Sequence, residues 1–190
     1  MEVVVTSRDT IKPSRPPPQR LRQLLPLSFF DRVMPRLFIP MIFFYSKGSE
    51  KGRVKKYHSD CNDEGVPYFE AQAKCNISQV AGESYLAKLN KLLPYGEQAG
   101  DLALAIQVNF FHCGGIAIGV CFCHKVVDAS SLSLFLNCWA SIARVDHRSN
   151  MNLICPRFDL AKLFPAVENQ SRDGTTTCGS SARRFVFSAC

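Results

Sequence analysis

Apolar and polar residues repeat with two different periods between residues 103 and 144. An apolar, β-favouring run covers residues 103–111, and a second extended run covers residues 116–124. The intervening Cys113, Gly114 and Gly115 supply turn chemistry, so the two runs predict a β-hairpin. From Ala129 the apolar residues recur at helical spacing, which predicts an amphipathic helix directly after the hairpin.

The second extended run has two unlike faces. Alternate residues on one face are large and apolar, and that face ends at His124. The other face carries only the small residues Ala117, Gly119, Cys121 and Cys123. Such a face lets a neighbouring group approach the strand closely.

The rest of the chain predicts shorter elements that complete an α/β (α+β) fold. Extended runs are expected at residues 2–5, 38–45 and 66–74, and polar residues 46–59 predict a loop. Leucines at helical spacing predict a helix within residues 84–93. Ser28 is expected to cap a short helix over residues 29–33, which Pro35 stops. Residues 13–18 predict a stiff proline-rich connector, and residues 158–164 a short apolar turn.

His124 and Asp128 lie at the junction of the hairpin and the helix, spaced as HxxxD. A neutral imidazole there can take a proton from a hydroxyl group that attacks an electrophile. Asp128 stands where a helix N-cap belongs, with its carboxylate available to the amide of Ser130 or Ser131. The residues alone leave His124 open as a general base or a structural histidine, and they favour a structural role for Asp128.

The stretch that contains this junction is QVNFFHCGGIAIGVCFCHKVVDASSLSLFLNCWASIAR. It resembles the active-site region of plant BAHD acyltransferases, which use coenzyme A thioesters to acylate alcohols and amines. Further pieces match in the family's order and point to its alkaloid branch. They are residues 13–33, IPMIFFYS, DCNDEGVPYFEA, FDLAKLFP and RRFVF.

The resemblance implies a chloramphenicol-acetyltransferase-like N-terminal domain with a mixed β-sheet, flanking helices and an incomplete fold. It makes His124 the general base and Asp128 the structural support of the active-site loop. It also implies acyl-CoA, most often acetyl-CoA, as co-substrate, with no permanently bound cofactor. The acceptor would be a hydroxyl group of a plant specialised metabolite, an alkaloid or a terpenoid, and the protein a monomer.

Departures from the family pattern lead to a second expectation. The DFGWG signature is absent, and a short basic stretch replaces a longer family segment between Ser46 and Asp60. We therefore expect a truncated, internally deleted half-enzyme, with a partial acyltransferase domain over residues 1–165. Residues 166–190 would be a flexible crossover segment with a terminal strand. The alternative function is a catalytically inactive fragment that binds a related intact protein, and such a chain is expected to fold only marginally.

A different family of HxxxD acyltransferases is the third option. Chloramphenicol-acetyltransferase-like enzymes and peptide-condensation domains also carry this motif. Condensation domains usually have a second histidine directly before the first, and Cys123 stands there in this chain.

The composition limits the class of protein and the cellular compartment that we expect. With 190 residues, 46% hydrophobic and 21% charged, the chain is typical of one globular domain. The net charge of +7 is spread without a basic stripe, so no nucleic-acid partner is expected. No long apolar run or signal-like start is present, so we expect no membrane association and a cytoplasmic location.

The nine cysteines include no CxxC pair and are expected to be small buried hydrophobes in a reducing compartment. A zinc site of Cys121, Cys123 and His124 is disfavoured, because neighbouring residues on a strand point to opposite faces. The same geometry disfavours a Cys123–His124 nucleophile pair. We therefore expect no metal, and the missing G-x-S-x-G argues against a serine hydrolase.

Overall fold

A five-stranded mixed sheet forms the centre of the computed structural model, which describes residues 1–12, 28–34, 37–46, 65–81, 86–94, 103–144 and 160–165. Its strands lie in the order β1-β3-β4-β5-β2. Strands β3 and β4 are parallel, and the other neighbours are antiparallel. The strands are β1 Val3–Ile11, β2 Phe38–Tyr45, β3 Val66–Ala73, β4 Leu104–Phe111 and β5 Ile116–Cys123.

The helices are short apart from the one that follows the hairpin. They are α1 Phe29–Val33, α2 Ser78–Ala81, α3 Leu86–Leu89, α4 Ala129–Arg144 and α5 Leu160–Leu163, with a 3₁₀ turn at Asn90–Leu92 directly after α3. In the part of the chain described, no helix combines the length and the apolar character needed to cross a membrane. The predicted mixed sheet with flanking helices is confirmed.

The predicted hairpin and helix are both present. Strands β4 and β5 pair from Leu104 opposite Phe122 to Phe110 opposite Ile116. The turn between them needs Gly114, whose φ of 79° lies in the left-handed region that glycine adopts without strain. Strand β5 ends at Cys123, one residue earlier than predicted, and α4 begins at Ala129 as predicted.

Each face of the sheet carries its own apolar cluster. The first cluster contains Ile11, Val66, Tyr68, Ile106, Val108, Ile118 and Val120, and Trp139 of α4 packs against it. The second contains Ala73, Val80, Leu92, Phe111 and Ala117, so α2 and the 3₁₀ turn cover that face. The sheet is therefore the middle layer, with α4 on the opposite side from α2 and the 3₁₀ turn.

The small-residue face of β5 receives the 3₁₀ turn, so the predicted close approach is confirmed and its partner is the backbone of Leu92. A Cβ atom built on Gly119 would meet the backbone of Leu92, so only glycine fits beneath the turn. Two buried side chains of β4 donate hydrogen bonds to backbone carbonyl groups of the turn. Asn109 Nδ2 donates to the Leu92 carbonyl oxygen at 2.9 Å, and Gln107 Nε2 donates to the Lys91 carbonyl oxygen at 3.1 Å.

Three elements differ from the sequence prediction. Strand β1 is continuous over Val3–Ile11, although residues 2–5 alone were predicted as a run, because its polar middle pairs with β3 across a bulge between Val5 and Ser7. Within residues 84–93 the described helical residues are α3 and the 3₁₀ turn. Helix α2 was not predicted, because four residues are too few to show a helical period.

The short helices α1 and α5 pack against each other. Ser28 caps α1 as predicted, and a capping box with Asp31 completes the helix start, with Asp31 Oδ2 accepting from the Ser28 amide at 2.8 Å. The Phe29 amide donates to the Phe164 carbonyl oxygen at 2.9 Å. The predicted apolar turn at 158–164 therefore includes a short helix, and the rings of Phe30 and Phe164 meet edge-on at 5.1 Å.

Several predictions fall outside the described residues. They are the proline-rich connector at 13–18, most of the loop at 46–59 and the crossover segment at 166–190 with its terminal strand. The division of the chain at residue 165 therefore stays a prediction.

Candidate active site

His124 follows the last residue of β5 and lies between two neighbouring backbone segments. Its amide donates to the Leu37 carbonyl oxygen at 2.8 Å, just before β2 begins. The amide of Cys123 donates to the Ala103 carbonyl oxygen at 2.9 Å, just before β4 begins. The backbone that carries the imidazole is therefore held on both sides at the edge of the sheet, where the sequence predicts it.

His124 is half-buried. Nδ1 is buried, and no group among the described residues forms a hydrogen bond with it. Histidines that act as bases or metal ligands are usually oriented by a hydrogen bond at the second nitrogen. The described residues supply no such partner for Nδ1 of His124.

A tight turn connects His124 to helix α4. The amides of Val126 and Val127 both donate to the Cys123 carbonyl oxygen, at 3.1 and 3.0 Å. The turn therefore brings the chain back on itself within four residues and leaves Asp128 at the start of the helix. The three residues between His124 and Asp128 in the HxxxD motif are the residues that form this turn.

Asp128 is the N-cap of α4, as the sequence predicts. Its Oδ1 accepts from the Ser131 amide at 2.7 Å, and its carbonyl oxygen accepts from Leu132 at 2.9 Å. Hydrogen bonds from Ser131 are the main reason that the pKa of Asp128 lies below its usual range, with a smaller electrostatic contribution from His124. The carboxylate is thus engaged with the helix start, which fits a structural role.

Helix α4 fixes the far side of the turn. Leu132, one turn into the helix, is buried at 7% exposure, and Trp139 packs against the first apolar cluster. The rings of Phe135 and Trp139 contact each other with centroids 5.9 Å apart. The predicted apolar stripe is confirmed, although Leu132 is its only fully buried member among the residues whose burial is described.

The neighbouring cysteines offer no second reactive group at this site. Cys121 and Cys123 are buried and unbridged, and burial raises the pKa of the Cys121 thiol to about 11. In the described ranges no group of three His, Cys, Asp or Glu side chains could hold a metal ion. The Cys121 thiol therefore stays protonated at neutral pH, and a thiol in that form is a poor nucleophile.

The two carbonyl groups that anchor the His124 backbone are the site components that sequence reasoning missed. Leu37 and Ala103 contribute only backbone oxygen atoms, so no side-chain pattern marks them. The signal that could have found them is indirect. Leu37 stands directly before a predicted strand and Ala103 begins one, and His124 directly follows the strand that pairs with both.

Comparison with known proteins identifies the family. A model of the transferase family matches residues 50–176. The solved structure of vinorine synthase superimposes with a TM-score of 0.72 at 31% identity, covering 88% of this chain and 48% of that one. This chain belongs to the BAHD acyltransferase family.

Curated relatives in the BAHD family include limonoid 21-O-acetyltransferase from Melia azedarach, 32% identical over 98% of this chain and 51% of its own length. Akuammiline synthase 2 from Alstonia scholaris is 34% identical over all of this chain and 50% of its own length. The chain therefore spans about half the length of these relatives. The latter alignment covers 229 positions against 190 residues here, so that relative has residues within the matched region that this chain lacks.

Proposed function

We propose that this chain carries the acyl-transfer site of an acyl-CoA-dependent O-acyltransferase, with His124 as general base. The position of His124 supports the proposal most directly, because its backbone is held by Leu37 and followed by a turn that Asp128 fixes. Membership of the BAHD family supports the reaction class. Asp128 maintains the loop and takes no part in proton transfer.

The chemistry needs one base and one thioester. Nε2 of His124 takes the proton of an acceptor hydroxyl as its oxygen attacks the acyl carbonyl carbon of acyl-CoA. The carbon–sulfur bond then breaks, and the coenzyme A thiolate leaves and recovers a proton. No acyl-enzyme is formed. Acyl-CoA is a co-substrate throughout and is not a resident cofactor.

The names of the relatives support the substrate class. Stemmadenine O-acetyltransferase from Catharanthus roseus and the limonoid enzyme are both named for O-acetyl transfer. We propose acetyl-CoA as the donor and a hydroxyl group of a plant alkaloid or terpenoid as the acceptor. A monomeric state and a cytoplasmic location belong to the same proposal.

Release of coenzyme A tests the catalytic role of His124. The wild-type chain, His124→Ala and the matched control His112→Ala, whose ring is exposed in the hairpin turn, are incubated with acetyl-CoA and a panel of alkaloid and terpenoid alcohols. Loss of a general base should lower the turnover rate by roughly 10²–10⁴-fold in His124→Ala alone. Equal rates for wild type and His124→Ala would dispose of the assignment.

A second candidate function is a catalytically inactive chain that binds a related intact protein. Two observations favour it. His124 Nδ1 has no described partner to orient the ring. Large apolar side chains on α1 and α5 are also exposed, with Phe30 at 49% and Leu163 at 69%.

Size-exclusion chromatography separates the two candidates. The chain is mixed with intact vinorine synthase, and binding would move it into an earlier fraction together with its partner. The double variant Phe30→Ser/Leu163→Ser should then elute alone, whereas Val126→Ser, which removes an exposed apolar residue elsewhere, should still co-elute. Separate elution of the wild-type chain would exclude this candidate.

A further inference from the structure

Two half-buried cysteines lie together at the hairpin turn and belong to no part of the proposed active site. Cys75 lies between β3 and α2, and Cys113 lies in the turn between β4 and β5. Both pack against the second apolar cluster, on the opposite face of the sheet from α4. The two thiols therefore share one surface although they are far apart in sequence.

Two hydrogen bonds join the segments that carry these cysteines. The amide of His112 donates to the Cys75 carbonyl oxygen at 3.3 Å, which places the backbone of the turn against the β3–α2 connection. The amide of Ile77 donates to Cys113 Sγ at 3.4 Å. The sulfur of Cys113 thus points at the connection and lies against a backbone amide two residues from Cys75.

The surroundings give the two thiols different reactivity. The Ile77 amide donates to the sulfur of Cys113, and a donated hydrogen bond favours the thiolate form, which is the nucleophile. Burial raises the pKa of Cys75, and the neighbouring Cys113 raises it further. Cys113 is therefore the sulfur of the pair that has a backbone N–H donor beside it.

We propose that Cys75 and Cys113 are an oxidation-sensitive dithiol site that reacts with small disulfide oxidants such as oxidised glutathione to form an intramolecular disulfide. Bridged cysteines have Cα atoms roughly 4.4–6.8 Å apart. The His112–Cys75 hydrogen bond of 3.3 Å holds the residue directly before Cys113 against the backbone of Cys75. The inference is independent of the acyl-transfer proposal.

The reaction proceeds by two exchange steps. The Cys113 thiolate attacks one sulfur of oxidised glutathione, whose disulfide bond breaks, and one glutathione leaves. Cys75 then loses its proton to solvent and attacks Cys113 Sγ, which releases the second glutathione. Two protein thiols are oxidised, one glutathione disulfide is reduced, and the two thiol protons end on the two glutathione molecules.

The bridge would tie the end of β3 to the hairpin turn across the β3–β4 crossover. Closing a long stretch of chain removes freedom mainly from the unfolded state. Oxidation should therefore raise the melting temperature of the wild-type chain. The effect should be absent from Cys75→Ser and Cys113→Ser, which keep a small side chain but cannot bridge.

Peptide mapping tests the proposal directly. The full chain is incubated with oxidised glutathione, alkylated with N-ethylmaleimide and digested with trypsin without reduction. Trypsin releases Cys75 in the peptide 75–88 and Cys113 in the peptide 92–125, which also contains Cys121 and Cys123. The expected product is the 75–88 and 92–125 pair joined by one disulfide, with the loss of two hydrogen atoms.

Variants decide which sulfur of the longer peptide is involved. The linked pair should disappear in Cys113→Ser and persist in Cys138→Ser, which removes a half-buried cysteine of α4 as a matched control. Survival of the link in Cys113→Ser would overturn the proposal. So would two alkylated thiols, or glutathione adducts without a link, in the wild-type chain, a result that does not depend on any variant folding.

Discussion

The carbonyl group of Leu92 occupies the space that a side chain at Gly119 would need. This contact joins the 3₁₀ turn to the central hairpin strand, five residues before His124. Asn109 reinforces it, because its amide group donates both to Leu92 at 2.9 Å and to the Ala117 carbonyl oxygen at 3.2 Å. A glycine and a buried asparagine thus attach the covering layer to the strand that leads to the candidate base.

Gly119→Ala should destabilise the fold. The new Cβ would meet backbone atoms, which cannot rotate away as a flexible side chain could, so the turn must shift from the sheet. Overpacking of this kind costs about 1–3 kcal/mol, and sometimes more. Urea unfolding monitored by circular dichroism measures the change.

Val126→Ala serves as the control for this substitution, because its side chain is 56% exposed and should contribute within about 0.5 kcal/mol. Unchanged stability of Gly119→Ala would show that the turn does not rest on β5 as described.

Asn109→Leu should also lower stability, through lost hydrogen bonds. The asparagine is fully buried, and its removal leaves the Leu92 carbonyl oxygen without its side-chain donor. One hydrogen of Gln107 Nε2 also loses its acceptor at 2.8 Å, while the other still reaches the Lys91 carbonyl oxygen. Leaving buried polar groups unpaired costs about 1–3 kcal/mol. Thermal and urea unfolding check this expectation.

Asn137→Leu in α4 is the control, because it makes the same substitution at an exposed position. It measures the effect of replacing asparagine by leucine without removing the buried hydrogen bonds of Asn109. Equal effects at the two positions would contradict a specific role for the buried network.

Asp128→Ala should cost about 0.5–2 kcal/mol at neutral pH, because the Ser131 amide loses its cap. Asp128→Asn should cost less, since an amide oxygen can accept the same hydrogen bond. Both variants should keep any acyl-transfer activity in proportion to the folded fraction, because the carboxylate supports the loop. Chemical unfolding combined with coenzyme A release measures both quantities.

The cap should also make stability pH-dependent in a defined direction. The folded pKa of Asp128 is lowered, mainly by the Ser131 hydrogen bonds. Its charged form therefore stabilises the fold fully above the unfolded carboxyl pKa of about 3.9 and stops doing so as pH falls through the lower folded value. The wild-type advantage over Asp128→Asn should shrink over that acidic range, and a constant difference would refute the linkage.

Much of the fold follows from sequence periods that are long enough to recognise. The hairpin and α4 each show a recognisable period, and β2 is a continuous apolar run of strand length. Strand β1 was predicted only in part, because residues 6–9 are polar and the strand exists through its pairing with β3. Short helices such as α2 are set by local hydrogen bonds and by Val80 packing in the second cluster.

The candidate site, like the fold, could be predicted in part from the sequence. The residues His124 and Asp128, the turn between them and the cap on α4 follow from spacing and from the preference of aspartate for helix starts. The cap partner was narrowed to Ser130 or Ser131, and the structure selects Ser131. The solvent-shielded state of His124 Nδ1 could not be predicted, because it depends on which groups the fold brings around the ring.

The sequence by itself determined the central hairpin, the helix that follows and the pair of residues at their junction, and its resemblance to the BAHD family implied the mixed sheet. These features depend on local periodicity and on motifs that neighbouring residues carry. Only the tertiary structure decided the full strand order, that Leu92 rests on Gly119, and that the β3–α2 connection lies against Cys113. Such contacts join residues distant along the chain, and their positions depend on how the apolar faces of the sheet are covered.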